Sequence, residues 1–213
     1  MTKAERQEML KNRLQTMLQH ERGLWESGRK YVAGVDEVGR GPLAGPVVAA
    51  AVILPQDFDV LGVDDSKKLS PKKRDELFAV IKERALAWSI GWIFPERIDE
   101  VNILEATKLA MAQAVNGLAV KPDHVLIDGN FTVRALPFPQ TAIVKGDANS
   151  TSIAAASILA KVTRDRYMEE MALQYPGYAF ESNKGYGTKA HYEGLKALGP
   201  CPIHRKTFIS DYL

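Results

Sequence analysis

Apolar runs separated by polar turns predict the strands of an α/β fold. Tyr31–Asp36 and Pro46–Ile53 are apolar almost throughout rather than alternating, which indicates strands buried on both faces. Residues 87–94 instead alternate large apolar side chains with smaller ones, as a half-buried strand does. With two shorter runs added, the predicted strands are 31–36, 46–53, 87–94, 124–128 and 141–144.

The segments between these strands carry helical signals. Ser70 and Pro71 are typical of a helix cap followed by a first-turn proline, and Ser150, Thr151 or Ser152 would cap an alanine-rich helix. The predicted helices are 70–85, 95–118, 150–173 and 189–197. Three strands first, then strands alternating with helices, predict a mixed sheet flanked by helices.

A further helix is predicted before the first strand. Leu10, Leu14, Met17 and Leu18 recur at helical spacing within residues 2–25, among charged residues. We therefore expect an N-terminal helical extension, 1–28, and a catalytic domain, 29–213, which includes a C-terminal helical substrate-binding segment. The pattern leaves open whether the extension packs on the domain or engages a partner.

Composition adds limits to this picture. The chain has 213 residues, a formal net charge of +2 and one cysteine, so an internal disulfide is excluded. Basic residues nevertheless cluster, as in Lys67–Lys68 and Lys161–Arg166, and such patches attract phosphate unless they are ordinary solvated surface. The polar N-terminus and the absence of a long apolar run predict a cytoplasmic protein without membrane contact.

Four acidic residues fall where predicted strands end. Asp36 and Glu37 follow the first strand, Asp128 closes a later one, and Asp147 follows the last. Because sites gather at the carboxyl ends of strands in open α/β sheets, the four acids would share one cleft, although each taken alone is better explained as a turn or cap residue. Asp36 and Glu37 would share it only if the strand ends or bends there, which the following glycines permit.

Clustered carboxylates favour a hard divalent cation. Mg²⁺ or Mn²⁺ suits such oxygen ligands, and two ions held about 3.5–4 Å apart can promote phosphodiester hydrolysis. The residues alone therefore indicate a metal-dependent phosphoesterase.

The segment Val35–Val47, reading VDEVGRGPLAGPV, resembles the signature of bacterial ribonuclease HII. Further motifs follow in that family's order: DSKKL at 65–69, IDGN at 127–130, KGD at 145–147, AASILAKVTRD at 155–165, KGYGT at 184–188 and HRKTF at 204–208. The resemblance covers about residues 31–208. It implies a ribonuclease H-like fold, with Asp36, Glu37, Asp128 and Asp147 as the metal-binding acids.

The resemblance also implies a reaction. It is hydrolysis of the phosphodiester on the 5′ side of a ribonucleotide in duplex DNA, leaving a 3′-hydroxyl and a 5′-phosphate, together with cleavage of RNA in RNA–DNA hybrids. The expected partners are such duplexes, the expected cofactors are two Mg²⁺ or Mn²⁺ ions, and no obligate protein partner is expected for a monomer. Two alternatives remain open: a structure-specific DNA nuclease of the same fold and a non-catalytic nucleic-acid-binding module.

Substrate contacts are expected at four places. Gly39, Arg40 and Gly41 leave room for a ribose 2′-hydroxyl, the alternative being a simple turn. Tyr186 would stack on a sugar at the RNA-to-DNA junction, or else pack on a loop. The other two places are a phosphate-contacting loop (Ser66, Lys67, Lys68) and a polar helix stripe (Ser157, Lys161, Arg164, Asp165) that either reaches phosphates or is solvated.

His191 and His204 are expected to be surface or packing residues rather than ligands. If His204 lies at the surface, it would touch the duplex backbone together with Arg205 and Lys206.

Overall fold

A computed structural model describes residues 2–212; Met1 and Leu213, the outer ends of the two predicted domain ranges, lie outside the described residues. A five-stranded mixed sheet forms the centre, with the strand order β3-β2-β1-β4-β5. Its strands are β1 (Val32–Val38), β2 (Val47–Ile53), β3 (Ala87–Ile93), β4 (His124–Asp128) and β5 (Gln140–Ile143). β1 pairs antiparallel with β2 and parallel with β4, so the predicted mixed α/β sheet is confirmed.

The helices that cover the sheet are α1 (Lys3–Met17), α2 (Gln19–Glu26), α3 (Pro71–Arg84), α4 (Pro95–Val101), α5 (Ile103–Asn116), α6 (Gly146–Asn149), α7 (Thr151–Gln174), α8 (Phe180–Asn183) and α9 (Lys189–Leu198). Three short 3₁₀ turns lie at Ser66–Lys68, Lys206–Phe208 and Ser210–Tyr212. Ser70 and Ser150 cap α3 and α7 as predicted, each accepting from the third amide of its helix. Within residues 2–212, no helix has both the length and the hydropathy that crossing a membrane requires.

Two predicted helices are each broken in two. The prediction of one helix over 95–118 was wrong because Asn102 takes a left-handed φ of 71° and its side chain caps α5 by accepting from the amides of Leu104 and Glu105. The prediction of one helix over 2–25 was wrong because the chain turns at Leu18, between α1 and α2. Neither break is marked by proline or glycine, which is why the apolar spacing alone did not show it.

The helices form a layer on each face of the sheet. α5 packs over one face, against residues such as Val35, Val47 and Ile127. α7, α3 and α1 cover the other face, against Val48, Ala50 and Val52. All seven residues of β2 are buried, as its unbroken apolar run predicted.

The crossing of α7 over β1 is unusually close. A Cβ atom at Gly34 would lie 2.1 Å from the carbonyl carbon of Ser152, so only glycine fits at that position of the strand. This contact brings the first turns of α7 directly over the strand that carries Asp36 and Glu37.

Candidate active site

Neighbouring parallel strands bring three acidic side chains together. Asp36 and Glu37 lie near the carboxyl end of β1, and Asp128 is the last residue of β4. Each of the three offers a carboxylate oxygen within 4.8 Å of the other two. The pairing of β1 with β4 stops at Val35 and Ile127, so the three acids begin where the ladder ends.

β1 continues beyond these acids. Its pairing with β2 stays regular through Glu37 and Val38, opposite Ala49 and Val48. Nothing on β4 is paired with residues 36–38, so that edge of β1 is open. The Asp36 carboxylate fills part of it by accepting the amide of Glu37 at 2.7 Å. Both acids therefore reach one site although the strand ends at Val38, two residues later than predicted.

Asp128 and Asp147 are joined by the segment that follows β5. The Asp128 carboxylate accepts the amide of Gly146 at 2.6 Å, which holds the start of α6 against the end of β4. Asp147, in the first turn of α6, is buried beside the cluster but is not one of the three acids with mutually close oxygens. Its carboxylate faces the Lys67 ammonium at 3.6 Å.

Burial and like charge act together on these acids. Burial, then repulsion from Glu37 and Asp128, raises the pKa of Asp36 well above its ordinary value. Burial also raises the pKa of Glu37, although the Arg40 guanidinium opposes this rise. For Asp147, burial and the charges of Asp65 and Asp128 raise the pKa. The site therefore concentrates negative charge that its protein neighbours only partly neutralise.

The loop at Ser66–Lys68 closes one side of the cluster. The Ser66 hydroxyl lies 2.8 Å from the Ser157 hydroxyl, and Ser157 is close enough to the Asp36 carboxyl to oppose the rise of its pKa. Burial opposes the charge of Lys67, yet four carboxylates around it, Asp147 first, raise its pKa. Ser66, Lys67 and Ser157 are thus brought to the acids.

Two other basic residues lie in less direct positions. Lys68 is exposed, with its ammonium 3.8 Å from the Asp64 carboxylate. Lys161 lies one turn after Ser157 on α7 and pairs with Asp165 at 2.8 Å. Neither side chain forms an ion pair with the three clustered acids, so both lie at the margin of the site.

The loop between β1 and β2, residues 39–46, is held by two buried arginines. Arg164 donates to the carbonyls of Pro46, Ala44 and Lys184. Arg205 donates to the carbonyls of Gly45, Arg40 and Gly39. Neither guanidinium forms an ion pair with a carboxylate of residues 2–212, and burial lowers the pKa of Arg164 to about 10 and of Arg205 to about 9.

These contacts fix the direction of the loop's peptide groups. In a trans peptide the C=O and the N–H point in opposite directions. Since Arg205 holds the carbonyls of Gly39 and Arg40, the amides of Arg40 and Gly41 point away from it. Among the described residues neither amide has a hydrogen-bond acceptor. The loop thus presents two free donors.

Tyr186 lies beside this loop. Its ring is 43% exposed, and a Cβ atom at Gly41 would lie 3.6 Å from the ring. The preceding Gly185 accepts the amide of Leu43 through its carbonyl at 2.8 Å. The loop and Tyr186 therefore form one continuous surface.

Arg164, His204 and Arg205 are not surface residues. Each is almost fully buried, so the expectation that Arg164 belongs to a polar stripe and that His204 and Arg205 touch the duplex backbone was wrong. Arg164 falls in line with Ala160 and Met168 on the buried face of α7, a spacing that marks its position in the sequence. Of the three basic residues His204, Arg205 and Lys206, only Lys206 is exposed.

His191 and His204 pack against each other inside the C-terminal segment. Their Nε2 atoms lie 3.0 Å apart, and His191 Nδ1 lies 2.9 Å from the Tyr186 carbonyl. This confirms that they are packing residues. Burial lowers the pKa of both histidines, that of His204 to about 4. The short Nε2–Nε2 contact is consistent with this, because only one proton fits between the two nitrogens.

Comparison with known proteins identifies the family. The family model described as Ribonuclease HII matches residues 33–211. Ribonuclease HII of Listeria monocytogenes is 56% identical over 210 residues, covering 97% of this chain and 78% of the relative. That of Leuconostoc mesenteroides is 60% identical over 196 residues, covering 91% of this chain and 76% of the relative.

A solved structure agrees with this assignment. The ribonuclease H2 of Pyrococcus horikoshii superposes with a TM-score of 0.71 at 32% identity, covering 84% of this chain and 94% of that one. The mixed sheet with its flanking helices is thus a ribonuclease H-like fold. This chain belongs to the ribonuclease HII family, and it is a ribonuclease.

Proposed function

We propose that this protein hydrolyses the phosphodiester on the 5′ side of ribonucleotides embedded in duplex DNA, and also cuts the RNA strand of RNA–DNA hybrids. The products are a 3′-hydroxyl and a 5′-phosphate. The observation that carries the proposal is the group of Asp36, Glu37 and Asp128, whose carboxylate oxygens converge within 4.8 Å, beside a loop with two free amide donors.

The acids suit divalent cations. Their ligand atoms are the hard oxygens that Mg²⁺ and Mn²⁺ prefer, and Glu37 Oε2 is buried without a hydrogen-bond partner among the described residues. Asp36, Glu37 and Asp128 would hold the ions, with Asp147 completing the set. Two such ions supply positive charge that activates water and stabilises the leaving oxygen.

The protein's own groups position the substrate. The amides of Arg40 and Gly41 donate toward the ribose, where a 2′-hydroxyl distinguishes RNA from DNA. The exposed ring of Tyr186 lies next to Gly41 and packs against the neighbouring sugar at the RNA-to-DNA junction. Lys67 and Lys68, both exposed, attract backbone phosphates without reading sequence. Ser66 and Ser157 lie beside the acid cluster, and Lys161 lies one turn further along α7.

The test is nicking of a DNA duplex that holds one ribonucleotide, with an all-DNA duplex and an RNA–DNA hybrid beside it. Asp128→Asn should lower the magnesium-dependent rate by more than about 100-fold, because an ionised ligand is lost. Duplex binding should persist, since the change removes negative charge. Asp57→Asn, at an exposed acid away from the cluster, serves as the control.

Three results would overturn the proposal. One is Asp128→Asn at the wild-type rate, which would remove the acids from the chemistry. Another is equal cutting of the all-DNA duplex, which would indicate a structure-specific DNA nuclease. The third is binding without any magnesium-dependent nick, which would indicate a binding module.

A further inference from the structure

The N-terminal extension contacts two segments that carry candidate site residues. Arg13 of α1 forms a two-point ion pair with Asp64, with both nitrogen–oxygen distances at 2.9 Å. The same guanidinium donates to the carbonyl of Ala148 at 2.7 Å. Asp64 lies two residues before the Ser66–Lys68 loop, and Ala148 directly follows Asp147.

This arrangement makes Arg13 a link between two segments that border the acid cluster. On one side is Lys67, and on the other is Asp147, whose carboxylate lies 3.6 Å from the Lys67 ammonium. The ion pair is well defined: the neighbouring carboxylate raises the pKa of Arg13, and the arginine lowers that of Asp64 although partial burial opposes this. Its forked geometry fixes direction as well as distance.

A second contact holds the same region. Glu21 of α2 is fully buried, and its Oε1 accepts from the Ser150 hydroxyl, the Ser152 amide and the Ser152 hydroxyl at 2.6–2.8 Å. These groups lie at the N-terminus of α7, where a carboxylate also interacts favourably with the helix dipole. The chain is therefore held within α6, at Ala148, and directly after it, at Ser150–Ser152.

We propose that Arg13 is a positioning residue of the active site, which sets the spacing between the Ser66–Lys68 loop and the Asp147 segment and so tunes divalent-cation binding. It touches neither substrate nor cation. Arg13 lies outside residues 33–211, the part of the chain that the family model matches, whereas its partners Asp64 and Ala148 lie inside it. The inference rests on the proposed function, because it takes Asp147 as part of the cation site.

Arg13→Ala tests the proposal in the full-length chain, with Arg6→Ala as the matched control. Arg6 is an exposed arginine on the same helix whose side chain has no ion-pair partner within the described residues. Arg13→Ala should raise the magnesium concentration for half-maximal nicking by about 3- to 10-fold, somewhat less than the loss typical of a direct neighbour of a metal ligand. Arg6→Ala should leave it unchanged.

A second readout needs neither metal nor activity. In the metal-free protein, hydrogen exchange at residues 64–68 and 146–149 should be faster in Arg13→Ala than in Arg6→Ala, because both segments lose their shared tether. Asp64→Asn should reproduce both effects. Arg13→Ala combined with Asp64→Asn should be no worse than either alone, since both remove one interaction.

Arg13→Lys keeps a cation but not the fork, and it provides a milder variant if the alanine protein folds poorly. It should show an intermediate shift. Wild-type magnesium dependence and wild-type exchange in these variants would overturn the inference, even if the melting temperature fell. Loss of nicking by Asp128→Asn in the same assay would then show that the proposed function stands while the role of Arg13 fails.

Discussion

Asp36 illustrates, at the scale of one residue, how a binding site opposes stability. Its carboxylate is buried beside two other acids, and its pKa is raised well above the ordinary range. A raised pKa in the folded state means that ionisation costs folding free energy once the pH exceeds the unfolded value. A bound cation would offset that cost.

Asp36→Asn should therefore stabilise the metal-free protein. With a chelator present at pH 7, its melting temperature should exceed the wild-type value by a few degrees. The gain should vanish below about pH 4, where the unfolded carboxyl is also neutral. Thermal melts across this pH range give the measurement, and Asp57→Asn is the exposed control. A lower melting temperature for Asp36→Asn at pH 7 would contradict the argument.

The acids were the part of the site that the sequence predicted best. Strand ends are visible as apolar runs that finish in a carboxylate, and the resemblance supplied their joint assignment. Arg164 and Arg205 could not be placed in the same way, because charge is the usual signal of exposure and both are fully buried. Their partners are main-chain carbonyls, which leave no pattern in the sequence.

At the scale of elements, two of the three glycines in the 39–46 loop, Gly39 and Gly41, have different structural roles. Gly39 has a φ of 88°, and a Cβ atom there would lie 2.2 Å from Arg164 Nε. Gly41 faces outward, and its Cβ would meet only the Tyr186 ring at an ordinary contact distance of 3.6 Å. One glycine is needed by the fold, and the other lies on the proposed substrate surface.

Alanine at these two positions should separate folding from recognition. Gly39→Ala should destabilise the protein by at least about 1–3 kcal/mol, the usual cost of a strained backbone. Gly41→Ala should change stability by less than about 0.5 kcal/mol, yet lower kcat/KM on the single-ribonucleotide duplex because a methyl group crowds the amide donors. Chemical denaturation and steady-state kinetics measure the two effects. Equal stability losses would contradict this division.

Helix boundaries were the weakest element-level predictions. Asn102 ends α4 by adopting a left-handed backbone and caps α5 with the same side chain, so apolar spacing continued across a real break. The strands fared better because β2, buried on both faces, is apolar at every position. The spacing of apolar residues shows which face of an element is buried. A helix break made by the hydrogen bonds of one side chain does not change that spacing.

For the whole molecule, the N-terminal extension is part of the main apolar core. Leu14, Met17 and Leu18 are buried in the same cluster as Val48 and Val52 of β2 and Ile158 of α7. The sequence predicted the amphipathic helix but did not show what packs against it, because an apolar stripe does not identify the surface that covers it. The structure shows the extension packed in the helical layer that includes α7.

Methionines on α1 offer a matched test of this packing. Met17 is fully buried and Met9 is 51% exposed. Met17→Ala should reduce the free energy of unfolding by about 2–5 kcal/mol, because it leaves a cavity in the core. Met9→Ala should change it by less than about 0.5 kcal/mol. Urea unfolding of both variants gives the comparison, and a Met17→Ala protein as stable as Met9→Ala would show that the extension is not anchored there.

Arg164 and Arg205 bind the 39–46 loop only through its main-chain carbonyl oxygens. These hydrogen bonds therefore do not depend on which side chains the loop carries. Shape and chemistry are thereby separated: two distant arginines set the path of the loop, whereas the exposed side chain of Arg40 can be changed without altering that path. An engineer seeking altered duplex preference would keep both arginines and diversify the loop's outward side chains, with the scaffold remaining in place.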